Sequence, residues 1–508
     1  MNSYGMKIWS RPSKQQKSTW CIYAAFAVIA LIITLFSSEC SPVYPINTWV
    51  DPNCFMTVGK AVAKGKVIYR DIYEQKGPYV YFFHALCYLI SPDSFTGVWL
   101  FEVINCFFVM LTFRKILTLY AIDGTWRTIW LSSLATLGIY FSYGFRKGDS
   151  VEEFCLPMLL YVVYLSLKRI KASENFKKTD FLLIGFIAGI VLWMKFSIVG
   201  FFVGWYIFYL YRVFHEKDLK SIPVSVLFIL LGIALATLPP LAYFGVNHSI
   251  KTWLTSYIYD NLFFYTSGNN AISKLLLCIL YLLEAIVSNL QFTTFVVFGL
   301  FCFSRKCEGR NKYERMLLLS TFIATAFFIY IGGRHYRYYA LPLGVFTIFG
   351  YIALAKLNLS VYRKKAFMGG VVILAVVACV AGFFVQGHAP NIFVKQEDTA
   401  QYKFARIIHN AKEDATLLQY GSLDSGFYLA TGILPEFKYF CRLNNPLPEM
   451  EKALDEYLNN HQADFVIVRY VESSAHKELD DPNYVEITRM SHKDFGQTDT
   501  YILYALKE

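Results

Sequence analysis

Three carboxylates and six basic side chains stand where a charge is costly and therefore needs a reason. Asp51 lies in Ile46-Asn47-Thr48-Trp49-Val50-Asp51-Pro52, between apolar neighbours and just ahead of an expected amphipathic helix, Asn53 to Lys64. A carboxylate half desolvated at a membrane surface holds a proton more readily and suits a general base. The same Asp could instead cap the helix that starts after Pro52. The string Arg146-Lys147-Gly148-Asp149-Ser150-Val151-Glu152-Glu153 sets Asp149 and Glu152 between two apolar runs, either as a solvated turn or as acids of a site shared with Asp51. In Gly332-Gly333-Arg334-His335-Tyr336-Arg337-Tyr338-Tyr339, cations interrupt an otherwise apolar hairpin. Arg334, His335 and Arg337, with glycines that let backbone approach closely, suit a phosphate ester. The alternative is snorkelling beside interfacial tyrosines. Arg70 and Lys76, in Tyr69-Arg70-Asp71-Ile72-Tyr73-Glu74-Gln75-Lys76-Gly77-Pro78, and Lys195, in Trp193-Met194-Lys195-Phe196-Ser197, carry the same two readings. Together these residues describe a pocket with carboxylates on one side and cations on the other, fit for an anionic lipid-linked donor and a base-activated acceptor.

The elements that must hold such a pocket are set by composition. Of 508 residues, 56% are apolar and 17% charged, and the mean hydropathy is +0.39, which excludes a soluble globule of this size. Apolar stretches of about 17 to 25 residues, each able to cross roughly 30 Å of hydrocarbon as a helix, recur from Trp20 to Phe384. The formal charge of +11 is spread in short basic runs between apolar segments, so it marks a cytoplasmic membrane face and not a nucleic-acid partner. Most of the eleven cysteines sit inside apolar segments without metal-ligand spacing. Cys40 and Cys54 flank one loop and are either a pair or two free thiols. Lys7, Arg11, Lys14 and Lys17 precede the apolar run Cys21 to Phe36 with no small-residue cleavage site after it, so an uncleaved first span with a cytoplasmic start is expected.

Two of about thirteen apolar segments, Gly77 to Ser91 and Ala271 to Asn289, decide the topology. If both cross, the run Lys168, Arg169, Lys171, Lys177, Lys178 faces outward. Treating both as interfacial or re-entrant puts every dense basic run in the cytoplasm. About eleven spans then remain, near residues 19–37, 95–113, 128–143, 151–167, 180–194, 198–211, 222–243, 290–304, 316–332, 339–355 and 366–386. The odd number sends the C-terminus outside. From Gly387 the composition turns polar, with β-like runs at Ala415 to Tyr420, Asp464 to Tyr470 and Thr500 to Leu506 and a helical stretch at Pro448 to Asn459. The expected organisation is an α-helical polytopic membrane domain over 1–386, whose first outer loop, 38–94, carries juxtamembrane helices, and a small extracytoplasmic α/β domain over 387–508.

On these residues the chain resembles the bacterial family 39-type GT-C glycosyltransferases, relatives of protein O-mannosyltransferases and of the aminoarabinose transferases acting on lipid A. Asp51 stands where that group has an Asp in the first outer loop. Gly65-Lys66-Val67-Ile68-Tyr69-Arg70-Asp71 and Glu74-Gln75-Lys76-Gly77-Pro78 match its Gly-x-x-Tyr-x-Asp and Lys-Gly-Pro runs. Asp149-Ser150-Val151-Glu152-Glu153-Phe154 matches an Asn/Asp-x-x-Glu-x-Phe stretch, and Gly333 to Pro342 matches loosely a Gly-Arg-x-x-x-His-Tyr-x-x-Pro-like element, with the His displaced. The resemblance implies a GT-C fold, Asp51 as general base, an acidic second loop and cations holding a polyprenyl-phosphate sugar donor. It implies transfer to a cell-envelope glycan, lipid or protein at the plasma membrane, and it leaves a divalent metal open. The competing reading is a transporter or flippase for lipid-linked saccharides. That reading requires charge accessible from both leaflets, and the inward halves of the spans lack a cluster comparable to the outer one, Glu102 and Glu284 being the main exceptions. A non-catalytic receptor, the third class, would leave Asp51 dispensable.

Overall fold

A computed structural model describes residues 14–264, 271–305, 311–357, 369–370, 372–373, 376–377, 380–384, 386–388, 390–445, 447–471, 478–494 and 497–507. The chain is mostly helical and closes on a small C-terminal sheet. Helix α1 (Lys14–Ser37) leads into a long first loop that carries α2 (Val50–Ala63) and α3 (Pro78–Ile90). Then follow α4 (Thr96–Leu119), α5 (Thr125–Tyr140), α6 (Val151–Lys171), α7 (Lys178–Leu192), α8 (Gly200–Glu216) and α9 (Ser221–Val246). After the short α10 (Ile250–Leu254) and α11 (Asp260–Phe263) come α12 (Ala271–Ser288), α13 (Leu290–Ser304), α14 (Lys312–Tyr330) and α15 (Thr347–Ala355), the last preceded by a 3-10 run, Arg337–Phe346. The chain is a multi-pass membrane protein. Among the described residues, five helical segments are long and apolar enough to cross: Thr19–Ser37, Thr96–Leu119, Phe196–Glu216, Ser221–Val246 and Arg337–Ala355.

The two segments that decide topology are both irregular. Helix α3 has 13 residues, about 20 Å at 1.5 Å per residue, which is short of a hydrocarbon core of roughly 30 Å. Helix α12 breaks against α13 at 115°. The expected last span, 366–386, falls partly outside the described residues; those of its residues that are described are mainly helical.

The C-terminal region places α16 (Ala400–Ala411), α17 (Phe427–Thr431) and α18 (Pro448–Asn459) with a four-stranded sheet of β1 (Leu417–Tyr420), β2 (Phe465–Val471), β3 (Tyr484–Asp494) and β4 (Gln497–Leu506), in the order β1-β2-β4-β3. Strands β1 and β2 run parallel, Leu417 opposite Phe465, and β4 pairs antiparallel with both β2 and β3. The strands expected at 415–420, 464–470 and 500–506 correspond to β1, β2 and β4, with β1 starting two residues later and β2 one residue later than expected. Strand β3 and α16 are additional: β3 is an edge strand rich in charge, so its alternation is masked.

The amphipathic interfacial helix expected over 53–64 is instead buried on nearly all sides, from Asp51 through Ala61. One side packs on α3, and the C-terminal region covers the other. Thr57 donates to Asp424 Oδ2 at 2.7 Å, the Lys60 ammonium binds the Gly432 carbonyl, and Cys54 Sγ lies 3.9 Å from Cys441 Sγ. Cys40 and Cys54 are both free thiols, and the cysteine facing Cys54 comes from 387 residues downstream.

Candidate active site

The Lys-Gly-Pro run is built by a backbone crossing. The Gly77 N–H donates to the Met194 carbonyl at 3.2 Å, and a Cβ on Gly77 would lie 2.0 Å from the Trp193 oxygen. Only glycine admits that approach. Pro78 then opens α3 at its first position, where its missing N–H costs nothing. The crossing brings Lys76 beside Lys195, close enough for each charge to act on the other. The upstream motif residues support the same turn. Gly65, with φ +91°, ends α2; the Tyr69 hydroxyl donates to the Lys76 carbonyl; and Asp71 accepts from the Val67 N–H at 2.8 Å.

Lys76, Lys195 and Arg334 line one cavity of about 210 Å³, with Gln75, Asn261, Tyr257, Phe196, Phe328, Ile331 and Tyr339. Its walls are largely apolar, and two of its cations, Lys76 and Lys195, are within electrostatic reach of each other. Glu152 pairs with Lys195, whose ammonium lies 4.0 Å over the Tyr339 ring and 4.9 Å over Tyr338. Burial pulls the Lys195 ammonium below its ordinary value, and Glu152 opposes it. Lys76 faces Glu74 at 3.8 Å and lies over Phe55. Arg334 reaches the Asn444 carbonyl at 3.4 Å, so the C-terminal region borders the cavity mouth.

Asp51 is not among the lining side chains but lies within electrostatic reach of Lys195, which is. The helix cap is Trp49, which makes no side-chain cap bond, and Asp51 is the second residue of α2. Its carboxylate accepts from the Tyr338 hydroxyl at 3.1 Å and is 8% exposed. Among the described residues it has no ion pair. Asp149 differs: fully buried, it receives His84 Nε2 at 3.0 Å, and burial raises its carboxyl while His84 opposes the rise. The turn that presents it is strained, with Arg146, Gly148 and Asp149 all at positive φ, 59°, 82° and 57°. A Cβ on Gly148 would meet Ser38 Oγ at 2.2 Å and Glu102 Oε1 at 2.4 Å.

The sequence-selected residues thus separate. Asp51, Lys76, Glu152, Lys195 and Arg334 converge, and Asp149 lies within electrostatic reach of Asp51. His335 turns away, stacked on Tyr281 with its Nδ1 3.4 Å from Glu284. Arg337 lies over Tyr143 at 4.2 Å. Arg70 is half exposed, bound to Asp71 and the Asn247 carbonyl. None of these three lines the cavity. Tyr338 and His84, which hold Asp51 and Asp149, were not singled out in sequence; their hydrogen bonds span 287 and 65 residues and leave no local pattern. Among the described residues, no group of three or more His, Cys, Asp or Glu side chains is placed to hold a metal ion.

No protein-family model and no curated protein matches the sequence. The fold does match solved structures. ArnT from Cupriavidus metallidurans bound to undecaprenyl phosphate superposes with a TM-score of 0.58 at 9% identity, over 95% of this chain and 98% of that one. Its apo state gives 0.58 at 10% identity, over 96% and 98%. The chain therefore has the GT-C fold of ArnT across nearly its whole length.

Proposed function

We propose that the chain is an inverting membrane glycosyltransferase that moves a sugar from a polyprenyl-phosphate-linked donor to an acceptor hydroxyl on a cell-envelope glycan, lipid or protein. The observation that carries this reading is the largely apolar cavity lined by Lys76, Lys195 and Arg334, with Asp51 bound to the Tyr338 hydroxyl and, among the described residues, in no ion pair. The GT-C fold adds to it, since the ArnT structure with that fold binds undecaprenyl phosphate.

The chemistry follows from the charges. A carboxylate already neutralised by a cation is a poor base, which sets Asp51 apart from Glu152, while the Asp149 carboxylate is taken up by His84 Nε2. Asp51 takes the proton of the acceptor hydroxyl as its oxygen attacks the anomeric carbon. The bond from that carbon to the phosphate oxygen breaks, its electron pair staying on the phosphate, and one displacement inverts the centre. Lys76, Lys195 and Arg334 stabilise the charge that develops on the leaving lipid phosphate. Glu152 acts through Lys195 by holding the ammonium in place, and the apolar walls take the first part of the carrier chain. Arg70, His335 and Arg337 lie outside this set. We place the N-terminus in the cytoplasm and residues 387–508 outside, as the basic loops require.

The test is transfer by the purified protein from a lipid-linked sugar donor. Loss of transfer in Asp51→Asn with donor binding retained supports the reading, and parental rates in that variant refute it.

A further inference from the structure

We propose that Glu39 is a positioning residue for the transfer reaction, clamping together the two loop segments that present Asp51 and Asp149. The inference rests on the reading of Asp51 as the base. Glu39 follows α1 by two residues and is 1% exposed, yet it lines no part of the cation cavity. Its carboxylate is nonetheless crowded with donors. Oε2 accepts from the Thr48 N–H at 2.9 Å and the Thr48 hydroxyl at 2.6 Å, while Oε1 accepts from Asn391 at 3.0 Å. Lys147 Nζ stands 3.7 Å away and His388 Nδ1 3.5 Å away, both wholly buried.

These contacts reach two segments of the site at once. Thr48 lies three residues before Asp51 and next to Trp49, the helix cap. Lys147 lies inside the strained turn that ends at Asp149. The Glu39 N–H donates to the Lys147 carbonyl at 3.0 Å, Asn47 Nδ2 donates to that same carbonyl at 3.1 Å, and the Lys147 ammonium binds the Thr48 hydroxyl. Arg146 stacks on Trp49 at 4.7 Å, closing the same junction from the other side. Non-glycine residues at positive φ persist only when their surroundings over-determine them, and Glu39 with Lys147 supplies that constraint. Asn391 and His388 fasten the junction to the chain leading into the C-terminal region. Burial by itself raises a carboxyl, but Lys147 and His388 outweigh it and hold Glu39 well below the usual range, so it stays ionised.

A clamp of this kind fixes where Asp51 points without touching substrate. Its loss should therefore slow the chemical step and leave donor capture alone, since Lys76, Lys195 and Arg334 hang on different elements. Glu39→Gln alone takes a carboxylate from the buried Lys147 ammonium, so the informative variant is the neutral double Glu39→Gln/Lys147→Met. With activity normalised to folded protein, kcat should fall about 10-fold or more, the effect of a sub-ångström to ångström misplacement, with the donor KM within about 2-fold of the parent. Glu39→Asp, which keeps the charge but shortens the reach, should fall between the two. If the double variant fails to fold, Thr48→Val, which leaves the ion pair intact, should still lower kcat at unchanged donor KM. Parental kcat per folded molecule in the double variant, or in Thr48→Val if the double is lost, overturns the inference. Asp51→Asn in the same assay separates the two failures: if it transfers normally, the base assignment has failed, and if it is inactive while the clamp variants are normal, only the clamp has.

Discussion

Asp51 and Lys195 share one tyrosine: the Tyr338 hydroxyl donates to the Asp51 carboxylate at 3.1 Å, and the Lys195 ammonium lies 4.9 Å over the ring of that same side chain. A carboxylate and an ammonium are thereby held near each other without forming an ion pair. In the proposed reaction the first accepts a proton, and the second, held by Glu152, meets the donor phosphate.

Asp51→Asn keeps the size of the side chain and the acceptor for Tyr338 but cannot take a proton. General-base assistance contributes about 10² to 10⁴-fold, so transfer should fall by that factor while the thermal midpoint and donor binding match the parent. The check is single-turnover transfer with a lipid-linked donor.

Removing a cavity cation should act on the donor. Lys195→Ala and Lys76→Ala should each weaken donor binding by about 1.5 to 3 kcal/mol, the contribution of a charge-assisted contact. Arg334→Ala should weaken it less, because Arg334 stands at the mouth near Asn444. Titration with a labelled polyprenyl phosphate measures all three, and equal affinity in every variant would return these cations to a snorkelling role.

Gly77→Ala tests the backbone crossing. The added methyl would meet a carbonyl 2.0 Å away, and overpacking of this kind costs about 1 to 3 kcal/mol. The lost stability should come with weaker donor binding, since the Lys76 and Lys195 segments are pushed apart. Alanine at Gly332, where nothing lies within 4 Å of the added carbon, is the control for a glycine change at the same cavity.

Asp424 gives the docking of the C-terminal region a pH dependence. Burial raises its carboxyl from 3.8 to about 6, while Thr57 and the Gly426 N–H oppose the rise. Because the folded pKa lies above the unfolded one, the folded state binds more protons between these values. Stability from this group is full below about pH 3.8 and is lost as pH rises through about 6. Asparagine can keep both partners, accepting from Gly426 and donating to the Thr57 oxygen. Asp424→Asn should therefore raise the thermal midpoint at pH 8, by an amount worth at most about 3 kcal/mol at 1.36 kcal/mol per pKa unit, and the gain should shrink towards pH 4. A constant difference across that range would show that Asp424 is not the group responsible.

Ala172→Cys and Lys452→Cys report on orientation. With the basic loops in the cytoplasm, a membrane-impermeant thiol reagent on intact cells should leave the first unlabelled and label the second. Labelling of Ala172→Cys from outside would overturn the proposed topology.

The sequence made much of this legible, but unevenly. Helices were readable because lipid forces long apolar runs, and Lys76, Lys195 and Arg334 stood out because cations in such surroundings are costly. Asp51 stood out for the same reason. Their partners did not. Tyr338 is one of several tyrosines in its stretch, and nothing local says which one reaches Asp51 across 287 residues. Glu39 reads as an ordinary polar residue at a helix end until Thr48, Lys147 and Asn391 fold around it. The burial of α2 was missed because an amphipathic pattern does not say whether the polar side meets water or, as at Thr57 and Lys60, a second layer of protein.

That second layer has a consequence for the order of assembly. Helix α2 is made well before the segment that covers it: Asp424 follows Thr57 by 367 residues and Cys441 follows Cys54 by 387. Until that segment has been made and has docked, one side of the helix that carries Asp51 is uncovered. On the proposed role of Asp51, a chain truncated before Asp424 can insert its hydrophobic segments and still lack the covered helix that transfer requires.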